Sequence, residues 1–124
     1  MADKNKEKRK KAERRRRRVR GKVFGTPQCP RLTVARSLKS IYVQVVDDES
    51  KLTLVGVGSR SKTMQGILEG GDNKTVVAKK VGLKIAELAK ARGIEGVVFD
   101  RNQYLYHGRI KAVAEGARKG GLRL

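Results

Sequence analysis

"NKTVVAKKVGLKIAELAKARGIEGVVFD" (73–100) changes period part-way along, and that change decides the fold. From Asn73 the apolar residues recur at helical spacing. Val77, Val81, Ile85 (or Lys84 beside it) and Leu88 lie four, four and three positions apart. Asp72 or Asn73 can cap the start through a side-chain oxygen, and Gly93 stops the helix. "GVVFD" (96–100) then reads as a short apolar strand.

Upstream the period is two. "RLTVARS" (31–37) alternates at Leu32 and Val34. "IYVQVVD" (41–47) puts Ile41, Val43 and Val45 on one face, with Tyr42 and Gln44 on the other. "LTLVGVGS" (52–59) sets Leu52 and Leu54 opposite Val55 and Val57. "SLKS" and "DDESK" (47–51) are turns, rich in side chains that imitate backbone bonding. Three strands on short turns make an antiparallel meander. Residues 61–72 read as a loop with room for one helical turn. Downstream, Ile110, Val113, Ala114 and Ala117 mark a second amphipathic helix ending at Gly120 and Gly121. The tail 122–124 can add an edge contact. The fourth strand returns beside the first only through a right-handed crossover made by the long helix. The predicted fold class is α/β: a three-stranded meander, a fourth strand added by helix crossover, and helices packed on the mixed sheet.

The 124 residues carry 31 Lys and Arg against 12 Asp and Glu, a formal charge of +19. That excess costs self-repulsion in any fold, and a polyanion relieves it with counterion release. Nucleic acid leads on composition, with an anionic membrane surface second. The first twenty residues hold 12 basic and three acidic side chains, +9 of the total. With four apolar residues there, burial cannot offset the entropy of ordering. Residues 1–24 are therefore read as a basic arm, disordered when free. Residues 25–124, opening on the boundary "GTPQCP", are read as a single α/β RNA-binding domain. Within the arm, Arg14, Arg15, Arg16, Arg17, Arg18 and Arg20 are the candidate RNA contacts, since arginine binds phosphate bidentately and stacks on bases.

The lone Cys29 leaves no intramolecular disulfide and no multi-cysteine zinc site. No stretch approaches the ~20 apolar residues that span a bilayer. The basic start has no apolar segment behind it and so does not read as a secretory signal, and its acids argue against a transit peptide. A cytoplasmic place is expected.

Catalysis finds little support. Asp47, Asp48 and Glu49 crowd one turn without histidine. Asp100 sits at a strand end, where α/β ligand sites lie, but Arg101 and Arg109 are its neighbours in sequence and are expected to neutralise it. "GVGSR" (56–60) is no phosphate-loop motif. No catalytic residue, metal, cofactor or small-molecule substrate is assigned. The alternative from another class is a magnesium-dependent nuclease using Asp100.

Binding fits better. "FDRNQYLYHGRI" (99–110) gathers Arg101, Tyr104, Tyr106, His107 and Arg109 ahead of a helix start, where free N–H groups suit phosphate. Tyr104 and Tyr106 alternate, so in extended chain they point the same way, as a stacking pair would. His107 either reaches RNA or caps the helix. Arg31, Arg36, Ser37, Lys39 and Tyr42 form a second set around the first turn, and Arg60, Lys62 and Thr63 a third.

"PRLTVARSLKSIYVQVVDD" (30–48), "NKTVVAKKVGLKIAELAKARGI" (73–94) and above all "VVFDRNQYLYHGRIKAVAEGARKGGL" (97–122) resemble bacterial-type ribosomal protein eighteen of the large subunit. The resemblance implies a ribonuclease H-like outline without nuclease activity, and a cytoplasmic protein of the ribosome. It implies binding to 5S rRNA and attachment of that RNA to 23S rRNA in the central protuberance. Ribosomal proteins five and, in many bacteria, twenty-five are the implied neighbours. It carries RNA contacts onto Arg36, Ser37, Lys39 and Tyr42, and onto Arg101, Tyr104, Tyr106, His107 and Arg109. This chain departs from the family at Ala35, often an aromatic there, at Leu38 and Ser40, often a polar pair, and at Gln103, often a glycine.

Overall fold

The computed structural model describes residues 4–124; the start of the arm, residues 1–3, lies outside the described residues. Strands β1 (Arg31–Arg36), β2 (Ile41–Asp47), β3 (Leu52–Gly58) and β4 (Val98–Asp100) form one sheet in the order β3-β2-β1-β4. The meander pairs antiparallel, and β4 returns parallel to β1, with Arg31 opposite Val98 and Thr33 opposite Asp100. The mixed sheet expected from the change of period is therefore present. The tail adds a parallel bridge between Gly96 and Arg123.

Alternation along β2 is complete: Ile41, Val43 and Val45 are buried, while Tyr42 is exposed and Gln44 half-exposed. Alternation along β3 breaks. Val45 opposes Val55 but Val46 opposes Thr53, so Leu54 is an extra, bulged residue. The bulge leaves Leu52 exposed and Leu54 half-buried beside half-buried Val55, where strict alternation would separate the two leucines from the two valines. Arg92 reaches across to donate to the Leu54 carbonyl.

Helix α2 spans Lys74–Ala91, and Asn73 caps it by accepting the Val76 amide at 2.9 Å. Its end is a Schellman motif: Gly93 takes φ of 82°, its amide donates to the Lys90 carbonyl, and the Ile94 amide donates to Ala89. The buried stripe is Ala78, Val81, Gly82, Ile85, Ala86 and Ala89. Val77 and Leu88, placed on that stripe by spacing alone, sit at its edge. A single 3₁₀ turn, Lys62–Met64, occupies the preceding loop and buries Met64.

Helix α3 (Arg109–Lys119) packs along α2 at very close range, and the glycines explain how. A Cβ on Gly82 would collide with the Val113 carbonyl oxygen, and one on Gly116 with the Lys79 carbonyl oxygen. Each helix thus presses its bare backbone into the other. The core closes beneath them with Leu32, Val34, Val57, Ile110 and Val113.

The arm, to which the sequence assigned no regular element, carries one in the structure. Helix α1 runs over Lys4–Arg20. Lys, Arg, Glu and Ala are strong helix formers, Glu7 stands in the first turn, and Arg17, Arg18 and Arg20 in the last favour the dipole. Only Val19 of this helix is buried, so helix propensity and end charges support it beside the few contacts that Arg15, Arg16 and Arg20 make with the body.

Gly82→Ala and Gly116→Ala should each cost about 1–3 kcal/mol through forced separation of the helices. Gly70→Ala, where an added Cβ meets nothing within 4 Å, should stay within about 0.5 kcal/mol. Chemical denaturation of the three variants checks this.

Candidate nucleic-acid interface

The site begins with the topology. Arg36 at the end of β1 pairs with Ile41 at the start of β2, and Tyr42 pairs with Gly58 at the end of β3. The 37–40 turn and the 60–63 segment therefore share one end of the sheet. The short β4 stops beside Thr33, and the loop after it follows the rest of β1 to the same end. Asn102 Nδ2 donates to the Val34 carbonyl at 3.2 Å. Tyr104 Oη then donates to the Arg36 carbonyl and accepts the Arg36 amide, both at 3.2 Å. The acidic 47–49 turn lies at the opposite end.

That opposite end holds a buried ion cluster. Arg31 donates to Asp48 from Nε at 2.9 Å and Nη2 at 3.1 Å, and to Asp100 from Nη1 at 2.7 Å. Burial opposes its charge, but the two carboxylates outweigh that and raise its pKa. Asp48 is held below the usual carboxylate range, first by the Arg31 hydrogen bond and also by the Gly25 amide. Asp100 turns its other oxygen to the Asn102 amide at 2.8 Å, which sets Asn102 at φ of 60°. Asn102 thereby makes the sharp turn of the loop, so Gln103 needs no glycine freedom. Arg31 is thus an internal strut, away from the other predicted contacts. It, and not Arg101 or Arg109, neutralises Asp100.

Arg101 and Arg109 brace the backbone instead. Arg101 donates to the Tyr104 carbonyl at 2.7 Å. Arg109 donates to the Ser37 carbonyl at 2.9 Å and the Ser40 carbonyl at 3.0 Å, holding the 37–40 turn against the start of α3. Its pKa is lowered, mainly by burial and then by the charge of Arg36. Ser37 spends its hydroxyl on Ser40, whose amide and hydroxyl it contacts at 3.2 and 2.9 Å.

Other predicted residues face outward. The Arg36 guanidinium stacks 4.8 Å from the Tyr104 ring centre. Lys39, Arg60, Lys62, Thr63 and His107 are exposed. His107 does not cap α3: the cap residue is Gly108 at φ of 57°, without a side-chain hydrogen bond. Tyr42, on the open face of the sheet, runs across Gly56 and Gly58, where a Cβ would lie 2.5 Å from its Oη and 2.8 Å from its Cδ2. Tyr104 and Tyr106 do not form one stacking pair. The loop is not extended, and Tyr106 packs edge-on against Phe99 with ring centres 5.8 Å apart.

Two arm residues meet the loop: Arg15 and Arg16 each donate at 3.0 Å to Gln103, one to its carbonyl and one to its Oε1. Arg20 approaches Asp48 at 3.7 Å, Arg17 pairs with Glu13, and Arg14 and Arg18 are exposed.

A cleft of about 410 Å³ opens where α2 and α3 both begin, lined by Lys74 and Thr75 on one side and His107, Gly108 and Arg109 on the other, with Arg36 at its edge. No acidic residue lines it. Lys74 and Thr75 were missed by sequence reasoning. Their signal, a basic and a hydroxyl residue directly after a helix cap, was present, but nothing in the sequence joins it to the distant second helix start. Among the described residues no group of three His, Cys, Asp or Glu could hold a metal ion, so the nuclease reading has no donor set.

The family model for ribosomal L18 of archaea, bacteria, mitochondria and chloroplast matches residues 6–124. The chain belongs to the ribosomal L18 family. Its relatives include proteins named large ribosomal subunit protein uL18. That of Chloroherpeton thalassium is 54% identical, covering 90% of this chain and 91% of the relative. That of Sorangium cellulosum is 56% identical over 89% and 92%, and that of Pediococcus pentosaceus 49% over 94% and 95%. These names are those of ribosomal proteins and not of enzymes. Family membership thus agrees with the basic, acid-free cleft.

Arg31→Leu should cost about 3–5 kcal/mol, because it leaves the buried Asp100 carboxylate without its cation and takes from Asp48 its main partner. In the parent chain the Asp48 contribution is whole above the ordinary carboxyl pKa of 3.8 and is lost as pH falls through its depressed value. Arg31→Leu should lose the larger part of that acid limb and keep the share that the Gly25 amide and Arg20 hold. Denaturation midpoints across acidic pH measure both effects.

Proposed function

We propose that this chain is a structural protein of the large ribosomal subunit that binds 5S rRNA and helps attach it to 23S rRNA in the central protuberance. Ribosomal proteins five and, in many bacteria, twenty-five are its proposed neighbours. The observation that carries the reading is the acid-free cleft at the paired helix starts, flanked at the same sheet end by Arg36, Lys39, Arg60 and Lys62. Two helix starts converge there with lysine, arginine and a hydroxyl, which together suit the phosphates of a folded backbone.

The mechanism has two stages. The charge of +19 draws in the polyanion and fixes the salt dependence. Docking then selects shape, because the 37–40 turn and the 101–109 loop are held rigidly by Arg109, Arg101 and Tyr104 and cannot adapt to every RNA. The arm, whose α1 buries only Val19, presents its charge along an exposed helix beside the loop.

A 5S rRNA transcript should outcompete an unstructured RNA of equal length at fixed salt; equal competition would reject the specific reading. Replacing Arg14, Arg15, Arg16, Arg17 and Arg18 with glutamine should weaken all RNAs. It should lower the slope of log affinity against log salt by about 0.7–0.9 for each phosphate that is no longer neutralised. Filter binding over a salt series reads both.

A further inference from the structure

Between the end of α1 and the loop after β4 lies a second cavity, of about 390 Å³. That falls in the ~300–1,000 Å³ range of small-ligand pockets. Its lining is unlike that of the helix-start cleft. Val19 and Val23 form an apolar wall on the arm side, and Phe99 and Tyr106 form an aromatic wall on the loop side. Arg18, Lys22 and Arg101 complete the lining, and no acidic residue contributes.

The Tyr106 ring is set up for stacking. It meets Phe99 at an interplanar angle of 79°, so at least one of its faces is left uncovered by that neighbour. The residue is 42% exposed. Its hydroxyl is tied to Arg118 Nη1 at 3.4 Å, and Arg101 is anchored by its bond to the Tyr104 carbonyl. The other wall is fixed from both ends, by Arg15 and Arg16 on Gln103 and by Arg20 near Asp48. An apolar, aromatic slot with cations around it and no acid is complementary to a flat aromatic body bearing anionic groups on either side.

We propose that this slot receives one unpaired nucleobase of the RNA, stacked on Tyr106, with its flanking phosphates on Arg18, Lys22 and Arg101. The proposal rests on the RNA-binding reading above and adds a base-stacking pocket to it. It also gives α1 a second role, because the arm supplies a wall of the slot as well as charge.

The test uses the full chain with a 5S rRNA transcript, read by affinity, by base-modification probing and by backbone footprinting. The parent protein should protect a base in an unpaired position. Tyr106→Ala should lose that protection and about tenfold in affinity, the scale of one base–aromatic stack. Val23→Trp, which fills the slot from the arm side, should do the same. Tyr106→Phe should keep the protection, and melting curves should show all three folded. If Tyr106→Ala and Val23→Trp bind and protect as the parent does, the slot proposal is overturned while the 5S reading stands. Unchanged RNA binding joined to lost binding of an acidic, tyrosine-containing peptide would overturn it in favour of a protein partner. If the parent itself fails to prefer 5S rRNA over unstructured RNA, the underlying reading falls and the slot proposal falls with it.

Discussion

Arg31 is the point from which both the loop after β4 and the root of the arm hang. It opens β1, the strand between β2 and β4, so its side chain reaches a carboxylate from either side. Removing three charges from water is expensive, and only near-complete hydrogen bonding repays it. Here the guanidinium binds Asp48 through two nitrogens and Asp100 through a third. The free oxygen of Asp100 then turns the 101–109 loop at Asn102, and Asp48 holds the Gly25 amide and draws in Arg20. One buried cation thereby sets the start of the loop and the root of the arm.

The chain's positive charge divides between bracing and attraction. Arg31, Arg101 and Arg109 are spent on carboxylates and backbone carbonyls, and Lys80 is spent on Asp72 at 2.7 Å. Arg36, Lys39, Arg60, Lys62 and Lys74 are left facing outward. The first group makes the surface stiff and the second makes it attractive to phosphate. In the function proposed above, stiffness would disfavour RNA of the wrong shape, because a fixed surface cannot rearrange to recover the bonds that a misfit forfeits. Charge alone would bind every RNA.

The bare crossing of α2 and α3 serves the same end. Gly82 and Gly116 let the helices touch backbone to backbone. Lys74 and Thr75 from one helix then share a cleft with Gly108 and Arg109 from the other. Both Schellman ends, at Gly93 and Gly121, release the chain back toward the sheet, where the Ile94 and Leu122 side chains are buried.

Periodicity and end signals determined the strands, the two packed helices, a cap at Asp72 or Asn73 and the parallel return of β4, and net charge determined the polyanion preference. Each is local or depends only on connectivity. The family resemblance rested on the same segments. The tertiary structure decided the roles. Arg31, Arg101 and Arg109 read alike with Arg36 in sequence, yet Arg31 is buried on two carboxylates, Arg101 and Arg109 each brace backbone carbonyls, and Arg36 faces outward, because only folding brings those partners to them. The β3 bulge is not legible in the sequence because an extra residue is invisible until its partner strand is in register. The helix of the arm is hidden from any reading that demands burial, since propensity and charge placement form it. Tyr104 and Tyr106 separate because the chain turns tightly between them, where the His107 amide donates to the Leu105 carbonyl, after a first turn at Asn102 set by a carboxylate that Arg31 holds from 69 residues away in sequence.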